Sequence, residues 1–87
     1  MKKVMLVEDE DFILQGIKYI IDWEALSMEI AATAHNGKEA LEIFQENPTD
    51  IVVTDVEMPR MNGLELLREI RKLNSRTRGI ILSGYDE

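Results

Sequence analysis

The chain has 87 residues, of which 45% are hydrophobic and 31% charged, a composition typical of one soluble globular domain. Its formal net charge of -7 disfavours binding of this chain by itself to nucleic acid or to an anionic membrane. Because cysteine is absent, disulfides and thiolate metal sites are excluded. The apolar run of residues 4–7 is too short for a signal peptide or a membrane span, so we expect a cytoplasmic location.

Four apolar runs predict buried β-strands. The third is β-branched and stops abruptly at Asp55. A run of this kind, without polar alternation, is typical of a buried parallel strand. In the second run, Met28, Ile30 and Ala32 are expected on one face of the sheet. In chain order, the runs are residues 4–7, 28–34, 51–54 and 79–83.

Amphipathic helix patterns separate these runs. Apolar residues recur at the spacing of three and four that one helix face requires. The acidic residues before the first helix suit a helix N-terminus, and Pro48 ends the second. The expected core stripes are Ile13, Ile17 and Ile20 with Leu14 and Ile21 alongside, then Ala40, Leu41 and Phe44, then Leu64, Leu67, Ile70 and Leu73.

The element order is therefore β-α-β-α-β-α-β. Strands alternating with helices of this length indicate the α/β class, with a parallel sheet covered by helices on both faces. Right-handed crossovers leave few possible topologies for such a sheet.

Polar side chains stand at three of the strand ends: Glu8 and Asp9 after the first, Asp55 at the third and Ser83 at the fourth. Ligand chemistry in open α/β sheets collects at these carboxyl ends. If the first and third strands are neighbours, three carboxylates converge. Two charges about 4 Å apart repel by roughly 4 kcal/mol at an effective dielectric of about 20. Such a cluster must take up protons or bind a cation, and oxygen ligands alone favour Mg²⁺ or Mn²⁺.

A carboxylate beside such a metal can attack a phosphoryl group and carry it as an acyl phosphate. We therefore hypothesise that Asp55 is a metal-assisted phosphoryl acceptor, with the Ser83 hydroxyl positioned to hydrogen-bond a phosphoryl oxygen. Taken alone, an acidic run after a strand is often a helix cap, and a lone aspartate is more often a turn residue. The topology favours the site because it predicts that these groups meet.

These residues carry a resemblance to the receiver domain of two-component response regulators. The most specific segment is residues 55–63, Asp-Val-Glu-Met-Pro-Arg-Met-Asn-Gly, supported by the acidic pair Glu8 and Asp9 and by the strand that ends at Ser83. The resemblance covers about residues 3–85. It implies a flavodoxin-like doubly wound parallel sheet and a signalling module, not an enzyme.

The resemblance also implies roles for individual residues. Asp55 would accept a phosphoryl group from a sensor histidine kinase. Mg²⁺ would be bound by Asp9, Asp55 and the backbone carbonyl of Glu57, with Glu8 acting through a bound water. Ser83 matches the switch hydroxyl of the family.

The sequence departs from the family at its end. Complete receivers have a fifth strand that ends in a lysine, and two further helices, none of which is present here. We therefore expect residues 1–87 to be a partial receiver domain, truncated after the fourth strand. An apolar strand with an open edge is a template for pairing, so we expect self-association through the fourth strand or by exchange of elements between chains.

The resemblance extends to an output function. Residues 21–23 and 83–87 look like the subgroup that carries an AraC-type DNA-binding domain further along the chain. The full-length protein is therefore expected to bind DNA and regulate transcription.

Two other functions compete with this interpretation. A receiver-like binding module could work without phosphorylation, but degenerate versions usually lose one of the acidic pair, Asp55 or Ser83. A phosphohydrolase of the haloacid dehalogenase type also uses a strand-end aspartate nucleophile. It requires a second aspartate two residues on, where this chain has Glu57.

Overall fold

The computed structural model of the protein describes residues 1–82 and confirms the alternation of strands and helices. None of the helices in this part of the chain has the length and apolar character needed to cross a bilayer. The elements are β1 (Lys2–Val7), α1 (Asp11–Ile20), a 3₁₀ turn (Glu24–Leu26), β2 (Met28–Ala34), α2 (Gly37–Glu46), β3 (Ile51–Asp55), α3 (Gly63–Leu73) and β4 (Arg78–Leu82).

The four strands form one parallel sheet in the order β2-β1-β3-β4. Val7 of β1 is paired with Thr54 of β3, so the two strands end side by side. Asp55 is paired with Leu82 of β4 on the other side. This order is that of a doubly wound α/β fold, and it fulfils the condition under which the acidic strand ends meet.

Helices cover both faces of the sheet. On one face, α2 and α3 bury Phe44, Leu66 and Ile70 against Met5 and Val52. On the other face, α1 buries Leu14 against a second set of strand residues, Val4, Leu6, Ile51 and Val53. Neighbouring residues of β1 and β3 therefore point to opposite faces, and both sets are apolar because both faces are covered.

The prediction for β2 is wrong in one respect. Met28 and Ile30 pack on the α1 side, but Ala32 packs on the α2 side. The pairing register with β1 shifts between Val4 and Met5, so one extra residue of β2 lies between the two pairs. Because such a bulge reverses the alternation beyond it, the three residues do not share a face.

Two of the predicted helix stripes also differ from the buried faces. In α1 the fully buried residue is Leu14, whereas Ile13 is 41% and Ile20 is 84% exposed. In α3 the fully buried residues include Leu66 in addition to the predicted Ile70, and the predicted Leu64 and Leu73 are both more than half exposed. Each helix carries adjacent apolar residues, so the sequence left the phase of the stripe ambiguous by one or two positions.

Candidate functional site

The ends of β1 and β3 bring the predicted acidic residues together. Glu8 and Asp9 follow β1 directly, and Asp55 is the last residue of β3. One carboxylate oxygen from each of these three side chains lies within 4.8 Å of the other two. The sequence-based expectation that the carboxylates converge is therefore confirmed. Three oxygens at this separation, without histidine or cysteine, match the ligand type that Mg²⁺ prefers.

Glu8 is the buried member of this cluster, with only 5% of its surface exposed. Its backbone N–H donates to the carbonyl of Ala34 at 3.0 Å, and its Oε2 accepts from the N–H of Glu10 at 3.1 Å. Burial, with the nearby charges of Asp9 and Asp55, raises the pKa of Glu8 to about 7. Near pH 7, when no cation is bound, a proton on Glu8 therefore neutralises part of the negative charge of the cluster.

Hydrogen bonds from the two neighbouring residues hold the carboxylate and the backbone carbonyl of Asp55 at the end of β3. Its Oδ1 accepts from the N–H of Val56 at 2.7 Å. The hydroxyl of Thr54, which is fully buried, donates to the Asp55 carbonyl at 2.9 Å. Asp55 itself is only half-buried. The carboxylate is thus held in place and remains accessible, as an acceptor of a transferred group must be.

The loop between β3 and α3 is fastened at its far end. The side chain of Asn62 accepts from the N–H of Glu65 at 2.9 Å, and the Glu65 carboxylate accepts from the N–H of Asn62 at 3.0 Å. This reciprocal pair is a capping box at the start of α3. The N–H of Gly63 also donates to the Val56 carbonyl at 2.9 Å. Arg60, between these anchors, has a positive φ of 74°.

A cleft of about 480 Å³ opens beside the carboxylates. It is lined by Asp9 on one side and by the loop after β3 on the other, including Glu57 and Asn62. The volume falls within the range of small-molecule sites and is ample for a phosphoryl group with bound waters. The cleft therefore supplies room beside Asp9 and the loop that follows Asp55 for a group to arrive and remain.

The predicted site residues thus divide into two groups. Glu8, Asp9 and Asp55 lie together, and Glu57 lies at the cleft beside them. Ser83 lies outside the described residues. Sequence reasoning missed the capping box of Asn62 and Glu65, although their spacing of three before an apolar stripe is its usual signature.

A strand-end carboxylate beside an acidic pair, on a parallel sheet of this order, is the arrangement of a doubly wound α/β domain with an acidic site at the carboxyl ends of its strands. The model of the response regulator receiver domain family matches residues 4–87 of the chain. The chain therefore belongs to the receiver domain family of two-component response regulators. This assignment agrees with the resemblance that the segment from Asp55 to Gly63 carries.

Curated relatives and solved structures give the same result. The transcriptional regulatory protein YesN of Bacillus subtilis is 41% identical over 87 residues, which are 100% of this chain and 24% of that protein. The receiver domain of AraT from Geobacillus stearothermophilus is 38% identical, with a TM-score of 0.90 over 99% of this chain and 67% of that chain. A two-component transcriptional regulator AraC from Clostridium phytofermentans is 36% identical, with a TM-score of 0.91 over the same shares.

The chain is similar to only part of the curated relatives. It spans about a quarter of the length of YesN. The chain is a receiver domain, and its curated relatives are named as transcriptional regulators. The family assignment gives no support to the phosphohydrolase alternative.

Proposed function

We propose that Asp55 accepts a phosphoryl group from the phosphohistidine of a sensor histidine kinase. The observation that carries the proposal is the cluster of three carboxylate oxygens within 4.8 Å of one another, at the edge of an open cleft. In the reaction, an Asp55 carboxylate oxygen forms a bond to phosphorus while the phosphorus–nitrogen bond of the phosphohistidine breaks. The histidine leaves with the electron pair and takes up a proton.

The residues at the site fit a hard divalent cation, Mg²⁺ or Mn²⁺. The carboxylates of Asp9 and Asp55 and the backbone carbonyl of Glu57 would hold it, and Glu8 would act through a bound water. Such an ion would neutralise the carboxylates and the charge on the transferring group. Asp55 is oriented for attack by its hydrogen bond from Val56, so little reorganisation is required of the chain.

Ser83 is the proposed switch hydroxyl. The proposal rests on the resemblance and on sequence position, since Ser83 follows Leu82, which is paired with Asp55 across the sheet. Ser83→Ala is expected to leave phosphorylation of Asp55 intact and to weaken the change in the protein that phosphorylation causes. A change in hydrogen exchange on phosphorylation that is equal in both proteins would contradict the role.

The direct test of the acceptor is labelling with a small-molecule phosphodonor. Acetyl phosphate with Mg²⁺ is expected to add the mass of one phosphoryl group to the protein. Asp55→Asn removes the nucleophile and should abolish the addition. Glu46→Gln is a matched control, because it removes an exposed carboxylate outside the acidic cluster. Equal labelling of Asp55→Asn and wild type would overturn the proposal.

The chain is further proposed to be part of a longer transcription factor. Its relatives are named transcriptional regulatory proteins, and the two solved structures described above come from AraT and AraC regulators. That comparison supports an AraC-type DNA-binding domain further along the chain, and a sensor kinase partner and a cytoplasmic location belong to the same proposal. In this proposal the receiver acts through a conformational change on phosphorylation, and not by turning over a substrate. Sequencing the parent gene beyond residue 87 tests the output domain.

Self-association through β4 is the last part of this proposal. Among the described residues, β4 is paired only with β3, and Ile80 is 45% exposed. A second β4, or an element exchanged between chains, would pair with this edge. Light scattering at rising concentration should show a dimer for the 87-residue chain. A monomer at all concentrations would exclude this mode of association.

A further inference from the structure

A second cavity lies at the end of the sheet opposite the acidic cluster. It has a volume of about 600 Å³ and is lined by the first residue of β1, the last turn of α3 and the turn that enters β4. Four of its lining side chains are cations, Lys2, Arg71, Arg76 and Arg78, and none is acidic. Because the chain has only ten Lys and Arg residues and a net charge of -7, this is a strong local concentration of positive charge.

The four cations have no ionic partner within the described part of the chain, whereas Lys72, beside Arg71, pairs with Glu69 at 3.2 Å. Asp50 contacts Arg78 through its backbone carbonyl, and its carboxylate Oδ2 accepts a hydrogen bond from the N–H of Lys3 at 2.8 Å. Four like charges around one concavity repel one another, and an anion bound among them would remove that repulsion.

A helix-dipole role explains only part of this cluster. Arg71 lies in the last turn of α3, where a cation is favourable. Lys2, Arg76 and Arg78 lie outside the helix, on a strand end and on the following turn. Two stretches that are far apart in sequence, the start of β1 and residues 71–78, thus contribute charge to one cavity, and the helix dipole does not require this arrangement.

The backbone of the cavity is held in place before any ligand arrives. Thr77 is buried, and its hydroxyl donates to the Thr49 carbonyl at 2.8 Å. The N–H of Arg78 donates to the Asp50 carbonyl at 3.0 Å, and the N–H of Arg76 donates to the Asn74 side chain at 3.0 Å. Ordering the turn is therefore not a cost of binding, although the long side chains still lose rotamer freedom.

The lining defines the class of ligand. It contains no aromatic or aliphatic side chain that could stack on a base or a ring, apart from the methyl group of Thr77. Arginine guanidinium groups bind phosphate oxygens in a bidentate manner and outnumber the single lysine here. We propose that this basic cavity binds a compact polyphosphate, either free or as the phosphate chain of a nucleotide, at the end of the sheet opposite Asp55.

Calorimetric titration of the 87-residue chain with tripolyphosphate tests the proposal. The buffer contains a chelator and no divalent metal, and its ionic strength is held constant. Saturable binding at one site is expected. Arg76→Gln with Arg78→Gln should weaken it at least about tenfold, because two charge-assisted contacts are lost. Lys18→Gln with Lys38→Gln changes the net charge equally, outside this cavity, and should leave the affinity within about twofold.

Amide chemical shifts locate the site independently of the variants. Tripolyphosphate should shift the amides of residues 75–79 and of Lys2, and leave residues 8–10 unchanged. If ATP binds like tripolyphosphate and adenosine does not bind, the phosphate chain alone is recognised; a free polyphosphate is preferred if ATP is much weaker. Absence of saturable binding, equal weakening by the control pair, or binding of duplex DNA without binding of tripolyphosphate would each overturn the proposal.

Discussion

Gly63 lies so close to the backbone carbonyl of Asp55 that no side-chain carbon fits between them. The start of α3 is therefore in direct contact with the residue that ends β3. The N–H of Gly63 also donates to the Val56 carbonyl, one residue beyond Asp55. The geometry of the carboxylate thus depends on a glycine eight residues away in sequence.

Replacing Gly63 by alanine tests this dependence. The added methyl group must displace the Asp55 backbone or the start of α3, with an expected loss of about 1–3 kcal/mol in the free energy of unfolding. Labelling by acetyl phosphate should slow as well, since the carboxylate is displaced. Chemical denaturation and intact-mass analysis measure the two effects.

Gly16 provides the matched control for that substitution. It lies inside α1, and nothing would contact a Cβ added there within 4 Å. Gly16→Ala should therefore stabilise the protein by about 0.5–1 kcal/mol through helix propensity and leave labelling unchanged. Equal effects of the two substitutions would show that the Gly63 contact has no special role.

Glu8 makes stability depend on pH when metal is absent. Its pKa is raised to about 7 in the folded protein, from 4.5 when unperturbed. Between these values the folded state binds more protons than the unfolded state. The free energy of unfolding therefore falls as pH rises through this window, by up to about 3 kcal/mol from this group.

Glu8→Gln should remove that part of the pH dependence and stabilise the metal-free protein at pH values above about 7. Thermal unfolding in the presence of a chelator, from acidic to alkaline pH, measures the slope. Glu10→Gln is the control, because it removes an exposed charge from the same loop and leaves Glu8 buried. A slope that survives in Glu8→Gln would assign it to other groups.

Mg²⁺ is expected to reverse this pH effect. A bound cation stabilises the folded state by mass action and favours the ionised form of Glu8, so its stabilisation should increase as pH rises. Asp9→Asn removes one of the proposed ligands and should weaken Mg²⁺ binding by at least about tenfold. Thermal shift and calorimetry with Mg²⁺ at two pH values measure this. Unchanged affinity in Asp9→Asn would place the ion elsewhere.

The sequence predicted the order of strands and helices, and the family resemblance implied the doubly wound sheet in which the acidic strand ends meet. A β-branched run that stops at Asp55 has few structural interpretations, and right-handed parallel connections bring strand ends to one edge. It was harder to predict which residues of a helix or strand face the core. Leu64 and Leu66 are both apolar, and only packing against the sheet decides that Leu66 is buried. The bulge in β2 has no local sequence signal, since alanines occupy positions 31 and 32.

The Asn62 side chain both caps α3 and lines the cleft beside Asp9. Asn62→Ala removes the cap of α3 and should cost about 1 kcal/mol in the free energy of unfolding. Because Asn62 lines this cleft, the Asn62→Ala protein should be labelled more slowly by acetyl phosphate at equal folded fraction.

Asn36→Ala is the matched control. It removes the same type of cap from α2, where the Asn36 side chain accepts from the Glu39 N–H at 2.8 Å. It should cost similar stability with a smaller effect on labelling. Equal slowing in both variants would mean that stability alone, and not the loop after Asp55, governs the rate.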